Sequence, residues 1–419
     1  MPAAGGRVEP RGSRPQRVLI LVENLSCPFD RRVWQEACTL RDAGHVVSII
    51  CPTGKGHEKK FEAIEDIHIW RYDLPLEAAG AAGYAVEYAV ALARTFVLCW
   101  KVLLTRGFDA IHACNPPDLF FLIGAFFKLL GRRFLFDHHD LNPELYEAKF
   151  GRRGFIYRLL RKLEFWTFRV ADVSIAPNES YRRIAIARGH MAPGRVFVVR
   201  SGPSLERMKI RPPEERLKRG RRHLVGYVGV MGEQEGIHYL LRAARHIVVD
   251  RGRTDVHFGL VGGGTSLEKM RALARELGVA DHVTFTGRVP DEELLAMLNS
   301  ADVCVNPDVA NEMNDKSTMN KIMEYMALGK PIVQFDLAEG RYTAQRASLY
   351  ARKNDASDLA AKIVELLDDP ARRVDMGEYG RRRVERELAW QHEAPKLLAA
   401  YDALWGGAEP SRAAQTRYG

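Results

Sequence analysis

The most informative segment of the chain is Asn314-Asp-Lys-Ser-Thr-Met-Asn-Lys-Ile-Met-Glu-Tyr-Met-Ala-Leu-Gly-Lys-Pro331. Its apolar side chains recur at helical spacing, which predicts a helix that Gly329 ends just before Pro331. Ser317 and Thr318 suit the N-cap of this helix. Because the amides of the first turn of a helix have no intrahelical partner, the segment predicts an anion site at this end.

A cation and a carboxylate accompany the predicted anion site. Lys316 lies beside the first amides, and Glu324 is expected two turns inside the helix. A phosphate site with a carboxylate deeper in the helix indicates a nucleotide diphosphate as the ligand. A capped helix that packs on a sheet and binds nothing explains the same spacing, so the motif alone does not choose between the two interpretations.

The same segment resembles a motif of a known family. The run Glu324-Tyr-Met-Ala-Leu-Gly-Lys-Pro-Ile-Val333 is similar to the E-A-M-A-x-G-x-P-V-V segment of retaining glycosyltransferases with the GT-B fold, called family four. In that family the glutamate holds the ribose hydroxyls of the nucleotide sugar, a role that the resemblance assigns to Glu324. The amides of the preceding turn hold the distal phosphate, and here they belong to Thr318, Met319 and Asn320.

The chain departs from the family pattern where charge is expected. Eight residues before Glu324 the family has an acid that contacts the donor sugar, whereas this chain has Lys316. The loop 229–236 matches the family loop G-R-x-x-x-x-K-G, in which an arginine and a lysine neutralise the diphosphate. Val230 and Glu235 hold those two positions here. We expect Lys316 to supply the missing charge.

The remaining donor contacts follow from the resemblance. The backbone at 287–289 is similar to the place where the edge of the base is read. The resemblance therefore implies that the donor is bound by Gly229, Gly232, Arg288, Val289, Lys316, Ser317, Thr318, Met319, Asn320 and Glu324. The expected co-substrate is a nucleotide-diphosphate sugar, with UDP favoured over GDP, and no cofactor is expected.

A loop near the N-terminus is a further candidate. Residues 24–34 follow the first predicted strand, where open parallel sheets bind ligands, and they lack the GxGxxG of a dinucleotide site. The Pro-x-Asp-Arg-Arg-Val-Trp sequence of this loop resembles a subset of the same family. Asp30, Arg31 and Arg32 could therefore face the donor phosphate or an anionic acceptor. The alternative is a solvated helix start that Asp30 caps.

A histidine pair follows the strand predicted at 133–137. In the resembled family a histidine in such a turn lies against the donor sugar at the cleft between the domains. His139 and Asp140 match that turn best and are the predicted catalytic residues, with His138 as the alternate. A strand-end histidine bonded to backbone is the structural alternative. No third anchor at metal-ligand spacing is apparent, so no metal is expected.

The segment 149–170 interleaves aromatic and basic residues. A helical stripe is formed by Phe155, Ile156, Leu159, Leu163 and Trp166, with Arg158, Arg161 and Lys162 beside it. A basic amphipathic helix with aromatic residues is what an anionic membrane surface attracts. A core helix whose arginines reach out to water is the alternative.

Composition sets the class of protein and its partners. The chain has 419 residues, a net charge of +9 and 46% hydrophobic residues, which is typical of a globular protein with an anionic partner. No nucleic-acid fold pattern accompanies the charge, so nucleic acid is not an expected partner. The six scattered cysteines predict buried thiols in a reducing compartment. No signal peptide is evident, and no apolar run reaches the length of a membrane-spanning helix, the nearest being 119–130, which favours a cytoplasmic protein.

Strands alternate with helices in two successive series, which predicts an α/β fold. The resemblance implies the GT-B architecture of two facing Rossmann-like domains, with parallel sheets and an interdomain cleft. The predicted boundaries are a disordered tail at 1–15, an acceptor-side domain at 16–203, a linker at 204–222, a donor domain at 223–385, a C-terminal helix that crosses back to the first domain at 386–406, and a disordered tail at 407–419.

The resemblance implies a retaining, metal-independent hexosyltransferase that moves a sugar from a nucleotide-diphosphate sugar to a hydroxyl acceptor. The basic aromatic helix suggests an acceptor linked to lipid, as in the assembly of surface polysaccharide, and contact with the inner face of the cell membrane. A soluble acceptor is the competing possibility. Two other functions remain open, a nucleotide-sugar epimerase of the same fold and a catalytically inactive binding protein, which the replaced charges allow.

Overall fold

The computed structural model describes residues 15–74 and 80–406, and the side chains of 80–85 lie outside that description. The tail predicted at 407–419 lies outside the described residues, as does the tail predicted at 1–15 apart from its last residue.

The chain divides into two compact units. The first comprises Met1–Val199 and Ala394–Gly419, and the second comprises Arg200–Glu393. The segment 204–222, for which a linker was expected, is part of the second unit. The C-terminal residues belong to the first unit, although they follow the second unit in the chain.

The first unit is built on one eight-stranded sheet. Its strands are β1 (Arg17–Leu21), β2 (Val46–Pro52), β3 (Phe61–Ile64), β4 (Ile67–Tyr72), β5 (Ala110–Cys114), β6 (Arg133–Asp137), β7 (Val173–Ala176) and β8 (Val196–Val198). They are ordered β3-β4-β2-β1-β5-β6-β7-β8, and among the described strands every neighbouring pair except β3–β4 is parallel. Strands β5 and β7 are buried along their whole length, as expected of a parallel sheet covered on both faces.

Among the described residues of the first unit, six helices precede β8 in the chain. They are α1 (Arg31–Asp42), α2 (Gly80–Thr105), α3 (Phe121–Leu129), α4 (Asn142–Phe150), α5 (Phe155–Val170) and α6 (Glu179–Ala187), followed by a 3-10 turn at Pro193–Arg195. The core of the unit lies between the sheet and these helices and includes the buried side chains of Leu19, Phe127 and Phe136.

The second unit repeats the plan with six strands. They are β9 (His223–Val228), β10 (Val256–Val261), β11 (Val283–Gly287), β12 (Val303–Asn306), β13 (Ile332–Phe335) and β14 (Ser348–Ala351). Their order is β11-β10-β9-β12-β13-β14, and all of the described pairs are parallel. The prediction of two Rossmann-like α/β halves with parallel sheets is thus confirmed.

The helices of the second unit follow the same alternation. They are α7 (Ile237–Arg245), α8 (Leu267–Glu276), α9 (Asp291–Ser300), α10 (Glu312–Lys316), α11 (Asn320–Ala327), α12 (Ala338–Ala344), α13 (Ala356–Leu367) and α14 (Pro370–Arg383). Short 3-10 turns lie at Glu215–Lys218, Ala280–His282 and Gln345–Ala347, and π-helical turns lie at His246–Asp250 and Val384–Leu388. The last helix, α15 (Trp390–Leu404), begins in the second unit and continues into the first.

Each sheet has a point where the strand order reverses. In the first sheet it lies between β1 and β5, and in the second it lies between β9 and β12. Open parallel sheets bind ligands outside the carboxyl ends of the strands at such a point. The segments that follow β1, β9 and β12 contain most of the predicted site residues, so the topology places those residues where a ligand is expected. His139 and Asp140 instead follow β6, and Arg288 and Val289 follow β11.

Helix α2 corrects the expectation that no apolar run is long enough to span a membrane. Its part Val86–Thr105 is long and apolar enough to do so by length and composition alone. The core helix of a soluble protein passes the same test, but such a helix is mostly buried. Of this window 22% is fully buried, and its exposed large apolar side chains are those of Val86, Val97 and Leu104.

The cysteines agree with the predicted buried thiols. All six lie in the described residues and are free, and five of them are buried, whereas Cys38 is half-buried. The reducing compartment inferred from them stays a prediction.

Candidate functional site

Helix α11 forms where the spacing predicts, but it begins later than expected. It runs from Asn320 to Ala327, and Met319 occupies its N-cap position. Ser317 instead ends α10 as the C-cap of that helix. The predicted N-cap role of Ser317 and Thr318 is therefore wrong, and Glu324 lies one turn inside α11 instead of two.

The start of α11 keeps the properties of an anion site. The amide of Ile322 donates to the carbonyl of Met319 at 3.0 Å, and the amides before it lie at the positive end of the helix dipole. Thr318 and Met319 are half-buried and Asn320 is exposed, so this end lies near the surface of the second unit. Phosphate binding by these amides stays a prediction that the geometry supports.

The expected source of positive charge, Lys316, is held by a neighbouring acid. Its Nζ lies 2.6 Å from Oε1 of Glu312, one turn earlier on α10. An exposed pair of this kind contributes little to stability and exchanges readily with water. The structure therefore gives Lys316 a local partner, and its role at the diphosphate stays a prediction.

Lys321, which had no predicted role, lies beside the loop after β9 that is expected to hold the diphosphate. Its Nζ lies 2.9 Å from Oδ1 of Asp308 and 5.0 Å from the ring centroid of Tyr227. Its Cε would lie 3.5 Å from a Cβ built on Gly229, so its stem touches the loop after β9. Burial disfavours the charge of Lys321, but the Asp308 carboxylate nevertheless raises the pKa of the ammonium above its ordinary value. Lys321 is therefore a charged group beside the expected diphosphate loop.

Arg200 is a second cation near the start of α11. Its Nη1 donates to Oγ1 of Thr318 at 3.4 Å and lies 3.8 Å from Oε2 of Glu339. Its guanidinium also stacks over the ring of Tyr342, with 4.6 Å between Cζ and the ring centroid. Sequence reasoning placed Arg200 at the end of a strand and gave it no role, because the partners that fix it lie more than a hundred residues later.

The loop after β9 shows why Glu235 replaces a basic residue. Oε2 of Glu235 accepts a hydrogen bond from the amide of Gly232 at 3.1 Å, so the acid braces its own loop. Burial raises the pKa of Glu235, and nearby Lys321 opposes that shift. The side chain of Val230 points into solvent. Glu235 therefore stabilises the conformation of its own loop, and Lys321 is the cation beside that loop.

The glycine loop at 262–264 packs tightly against the loop after β9. A Cβ on Gly262 would lie 1.9 Å from the carbonyl oxygen of Gly229, and the φ of Gly262 is +129°, so glycine is required there. The amide of Gly262 donates to the carbonyl of Gly287 at 2.9 Å. This contact brings the backbone of Arg288 and Val289, predicted to read the base, next to the same loops.

Glu324, which is expected to hold the ribose, forms an ion pair with Arg207, an arginine that had no predicted role. Nη1 of Arg207 lies 2.9 Å from Oε1 of Glu324. The same guanidinium donates to Asp291 from Nε at 2.6 Å and from Nη2 at 3.3 Å. Arg207 thus joins the start of α9 to the first turns of α11 and fixes the position of the Glu324 carboxylate.

In the first unit, the loop after β1 leads into a helix that Asp30 caps, which was the alternative to an anion-binding loop. Oδ1 of Asp30 accepts from the amide of Val33 at 3.2 Å and so caps α1. Arg31 is exposed, and its predicted contact with an anion stays a prediction.

Arg32 points into the interior of the first unit. It binds both oxygens of Asp137, at 3.1 and 2.9 Å, and its Nη1 donates to the carbonyl of Val199 at 2.9 Å. It is 9% exposed and also lies 3.1 Å from Glu36. The expectation that Arg32 faces a donor phosphate or an anionic acceptor is therefore wrong, because buried carboxylates occupy it.

The turn at His139 and Asp140 is fixed by Asn115, a residue without a predicted role. Oδ1 of Asn115 accepts from the amides of His139 and Asp140 at 2.6 and 3.1 Å, and its Nδ2 donates to the Asp140 carbonyl at 2.8 Å. Nε2 of His139 accepts from Nε of Arg32 at 3.0 Å and contacts Asp137. The carboxyl ends of β5 and β6 therefore orient the imidazole, whose catalytic role stays a prediction.

His138 is buried and packs between the rings of Phe168 and Tyr181, at centroid distances of 5.2 and 5.0 Å. Burial lowers its pKa to about 3, so it is neutral at physiological pH. His138 is thus a core residue, which leaves His139 as the better match to the family turn.

Two groups of side chains in the first unit lie close enough together to hold a metal ion. They are His112 with Cys114 and Asp137, and Glu36 with Asp137 and His139. The guanidinium of Arg32 lies against both Glu36 and Asp137. Burial disfavours the charge of Asp137, but Arg32 and His139 hold its pKa well below the ordinary value. The carboxylates are therefore already neutralised, and this donor set suits an arginine-centred network better than a cation.

Helix α5 turns its apolar stripe outward. Phe155 is 77% exposed and Trp166 is 53% exposed, whereas the buried face of the helix carries Glu164 and Phe168. Glu164 is paired inside the unit with Arg188. The alternative of a core helix with its arginines reaching outward is therefore wrong, and the basic and aromatic residues share the exposed surface.

Comparison with protein families matches both halves of the chain. Residues 222–369 match the family described as Glycosyl transferases group 1, and residues 30–207 match Glycosyltransferase Family 4. The chain is 27% identical over 351 residues to a 2-deoxystreptamine glucosyltransferase of Streptomyces kanamyceticus, covering 81% of the chain and 89% of that protein.

Two further comparisons are informative. A GDP-mannose-dependent alpha-(1-6)-phosphatidylinositol monomannoside mannosyltransferase of Mycobacterium tuberculosis is 36% identical over 142 residues, which is 33% of this chain and 37% of that protein. The solved structure of Anabaena Alr3699/HepE with UDP-glucose aligns with a TM-score of 0.69 and 14% identity, covering 93% of this chain and all of that chain. This structural likeness concerns the fold alone.

Proposed function

The chain belongs to the group 1 glycosyltransferases of the GT-B fold, and we propose that it is a retaining enzyme that transfers a sugar from a nucleotide-diphosphate sugar to a hydroxyl acceptor. The observation that carries the proposal is the arrangement at the strand-order reversal of the second sheet. There the start of α11 lies with Lys321 and Arg200 beside it, and Glu324 lies one turn further in.

These groups suit the stabilisation of a leaving diphosphate. In the proposed reaction the acceptor oxygen bonds to the anomeric carbon while the bond from that carbon to the phosphate oxygen breaks. Negative charge then grows on the diphosphate, where the helix dipole and the two cations stabilise it. The departing phosphate oxygen takes the acceptor proton from the same face, so the anomeric configuration is retained. Because the chain supplies its own cations, we propose a reaction that needs no divalent metal.

For the donor base we propose uridine. UDP is the nucleotide that the sequence favours, and the HepE structure, which shares this fold, holds UDP-glucose. For the transferred sugar we propose a hexose.

For the acceptor we propose a lipid-linked hydroxyl compound at the inner face of the cell membrane, as in the assembly of surface polysaccharide. The exposed stripe of α5 supports this proposal, because Phe155 and Trp166 stand beside Arg158 and Lys162 on one solvent face. Apolar side chains flanked by basic ones favour an anionic membrane surface. The mycobacterial relative is a mannosyltransferase whose acceptor, phosphatidylinositol monomannoside, is a lipid.

An inactive binding protein is the second candidate, since Val230 and Glu235 remove two expected charges. The positions of Lys321 and Arg200 argue against it, because Lys321 places a cation beside the loop after β9 and Arg200 places another beside Thr318. An epimerase of the same fold would require acid and base carboxylates at the sugar and no acceptor.

Thermal unfolding with UDP, GDP and their sugars, each with magnesium and with EDTA, tests the proposal. A ligand that binds only the folded state raises the melting temperature by mass action. We expect a rise with UDP and UDP-sugars that is the same in EDTA and is lost in Glu324→Ala. Transfer of labelled sugar to a membrane lipid extract then tests the reaction. Binding without transfer to any acceptor would favour the inactive candidate, and no rise with any nucleotide would contradict the donor site.

A further inference from the structure

Helices α2 and α3 of the first unit pack side by side through aromatic rings. The ring of Phe126 on α3 lies 5.2 Å from that of Phe96 and 5.9 Å from that of Trp100 on α2, measured between centroids. The neighbouring Phe127 is fully buried against the same helix. The two helices therefore form one continuous face.

Large apolar side chains of this face are exposed. We call it the α2–α3 surface, and its exposed members are Val97, Leu104, Leu122, Phe126, Leu129 and Leu130. Leu104 is 79% exposed and Leu129 is 85% exposed. Single exposed leucines are common, but a group of this size on two packed helices marks an interaction surface.

Basic residues border the α2–α3 surface. Arg132 follows Leu130 in the turn after α3, where its Nη1 lies 3.6 Å from Oδ1 of Asp109, and the exposed Arg133 is the first residue of β6. Nζ of Lys128 donates to the carbonyl of Val170 at 2.8 Å and so ties α3 to the end of α5. The α2–α3 surface therefore adjoins the helix that carries the exposed basic and aromatic residues.

The charge decides between two occupants of this surface. A second copy of the chain would bring the arginines of two copies together, and each copy has a net charge of +9. An anionic bilayer offers an acyl layer to the leucines and phosphates to the flanking arginines. We propose that the α2–α3 surface inserts into the acyl boundary of an anionic membrane. This inference rests on the proposed membrane contact of α5 and adds a hydrophobic component to it.

The two components differ in their response to salt. Attraction between the basic residues of α5 and anionic lipid is screened by salt, whereas burial of leucines in the acyl boundary is not. Binding to vesicles of phosphatidylglycerol and phosphatidylcholine at low salt and at about 1 M salt, where the Debye length is about 3 Å, therefore separates them.

The test uses three variants of the full chain in a vesicle flotation assay. The double variant Leu104→Glu/Leu129→Glu changes the α2–α3 surface, and Arg158→Glu/Lys162→Glu changes α5. Val374→Glu, at an exposed position on α14, is the matched control. We expect the leucine variant to lose the salt-resistant binding by about tenfold or more, because each leucine removes several buried methylene groups. The α5 variant should lose the salt-sensitive part, and the control should bind like the wild type.

Several outcomes would overturn the inference. If the leucine variant bound vesicles as tightly as the wild type at high salt, the insertion of the α2–α3 surface would be overturned. The proposed contact of α5 would be unaffected. A wild type that does not bind anionic vesicles would overturn both membrane proposals. A wild-type dimer by light scattering that becomes a monomer in the leucine variant would show that the surface joins two copies. An unchanged UDP-dependent melting shift in the leucine variant verifies its fold and keeps the donor-site proposal separate.

Discussion

Arg207 holds Glu324 by a 2.9 Å ion pair while it grips Asp291 through its other two nitrogens. Glu324 is the residue to which the family resemblance assigns the ribose. Arg207 lies 117 positions earlier in the chain, in a segment where a linker was expected. The carboxylate that is predicted to read the ribose is thus positioned by a residue outside the recognisable motif.

Removing Arg207 should weaken recognition of the ribose. We expect Arg207→Ala to lose about 1 kcal/mol of UDP affinity, roughly fivefold in Kd, because the Glu324 carboxylate loses its anchor. The preference of the protein for UDP over 2′-deoxy-UDP should fall in the same variant and vanish in Glu324→Ala. Calorimetry with each nucleotide measures these affinity ratios. Arg211→Ala, which changes an exposed arginine of the same segment, is the control. An unchanged preference in Arg207→Ala would show that Arg207 only supports the fold.

Lys321 should matter more than Lys316 for binding the diphosphate. Lys321→Met alone leaves the buried Asp308 charge unpaired, which costs about 3–5 kcal/mol of stability. The double variant Lys321→Met/Asp308→Asn removes both charges, so it should recover most of that stability and still bind UDP at least about tenfold more weakly. Lys316→Met should have a smaller effect. Melting temperatures with and without UDP check this, and the reverse order of the two lysines would contradict it.

Arg32 should be a determinant of stability. In Arg32→Met the carboxylates of Glu36 and Asp137 remain buried without their guanidinium, and we expect a loss of about 3–5 kcal/mol in the free energy of unfolding. Arg31→Met changes the exposed neighbour and should be nearly neutral. Urea denaturation of the two variants measures the difference, and equal stability would mean that the network around Asp137 contributes little.

Glu23 should make the stability of the protein fall with rising pH. Burial, with Glu87 nearby, raises the pKa of Glu23 from 4.5 to about 7 in the folded state. The folded state therefore holds a proton that the unfolded state releases at lower pH, so this contribution is full below about pH 4.5 and is lost as the pH rises through 7. The full loss should be about 3 kcal/mol.

The isosteric Glu23→Gln variant cannot titrate at this position. Its free energy of unfolding should therefore decline less than that of the wild type between pH 5 and 8, as measured by urea denaturation in matched buffers. Parallel curves for the two proteins would show that Glu23 is ionised in the folded state at neutral pH.

The alternation of strands and helices, the position of α11 and the turn at His139 could be predicted because each follows from local pattern. The start of α11 could not, since two adjacent helices compete for the same polar residues. Asn311 caps α10 and the hydroxyl of Ser317 bonds back to the carbonyl of Met313 at 2.8 Å, so Ser317 closes one helix instead of opening the next.

The missed site residues share one cause. Lys321, Arg200, Arg207 and Asn115 take their roles from partners that the fold brings close, such as Asp308 and Thr318. The sequence also did not determine which face of α5 is exposed, because the helix has apolar residues on both faces. The buried pair of Glu164 with Arg188 fixes which face turns inward.

The glycine contacts of the second unit bear on the thermodynamics of donor binding. A Cβ on Gly236 would lie 1.9 Å from the carbonyl oxygen of Pro307, just as one on Gly262 would meet Gly229. The backbones of the loops after β9, β10 and β12 are therefore in close contact with one another in the absence of a nucleotide. Their conformational entropy is lost when the chain folds, so a donor that binds at these loops, as proposed above, would meet a preorganised surface and would spend little of its binding energy on ordering them.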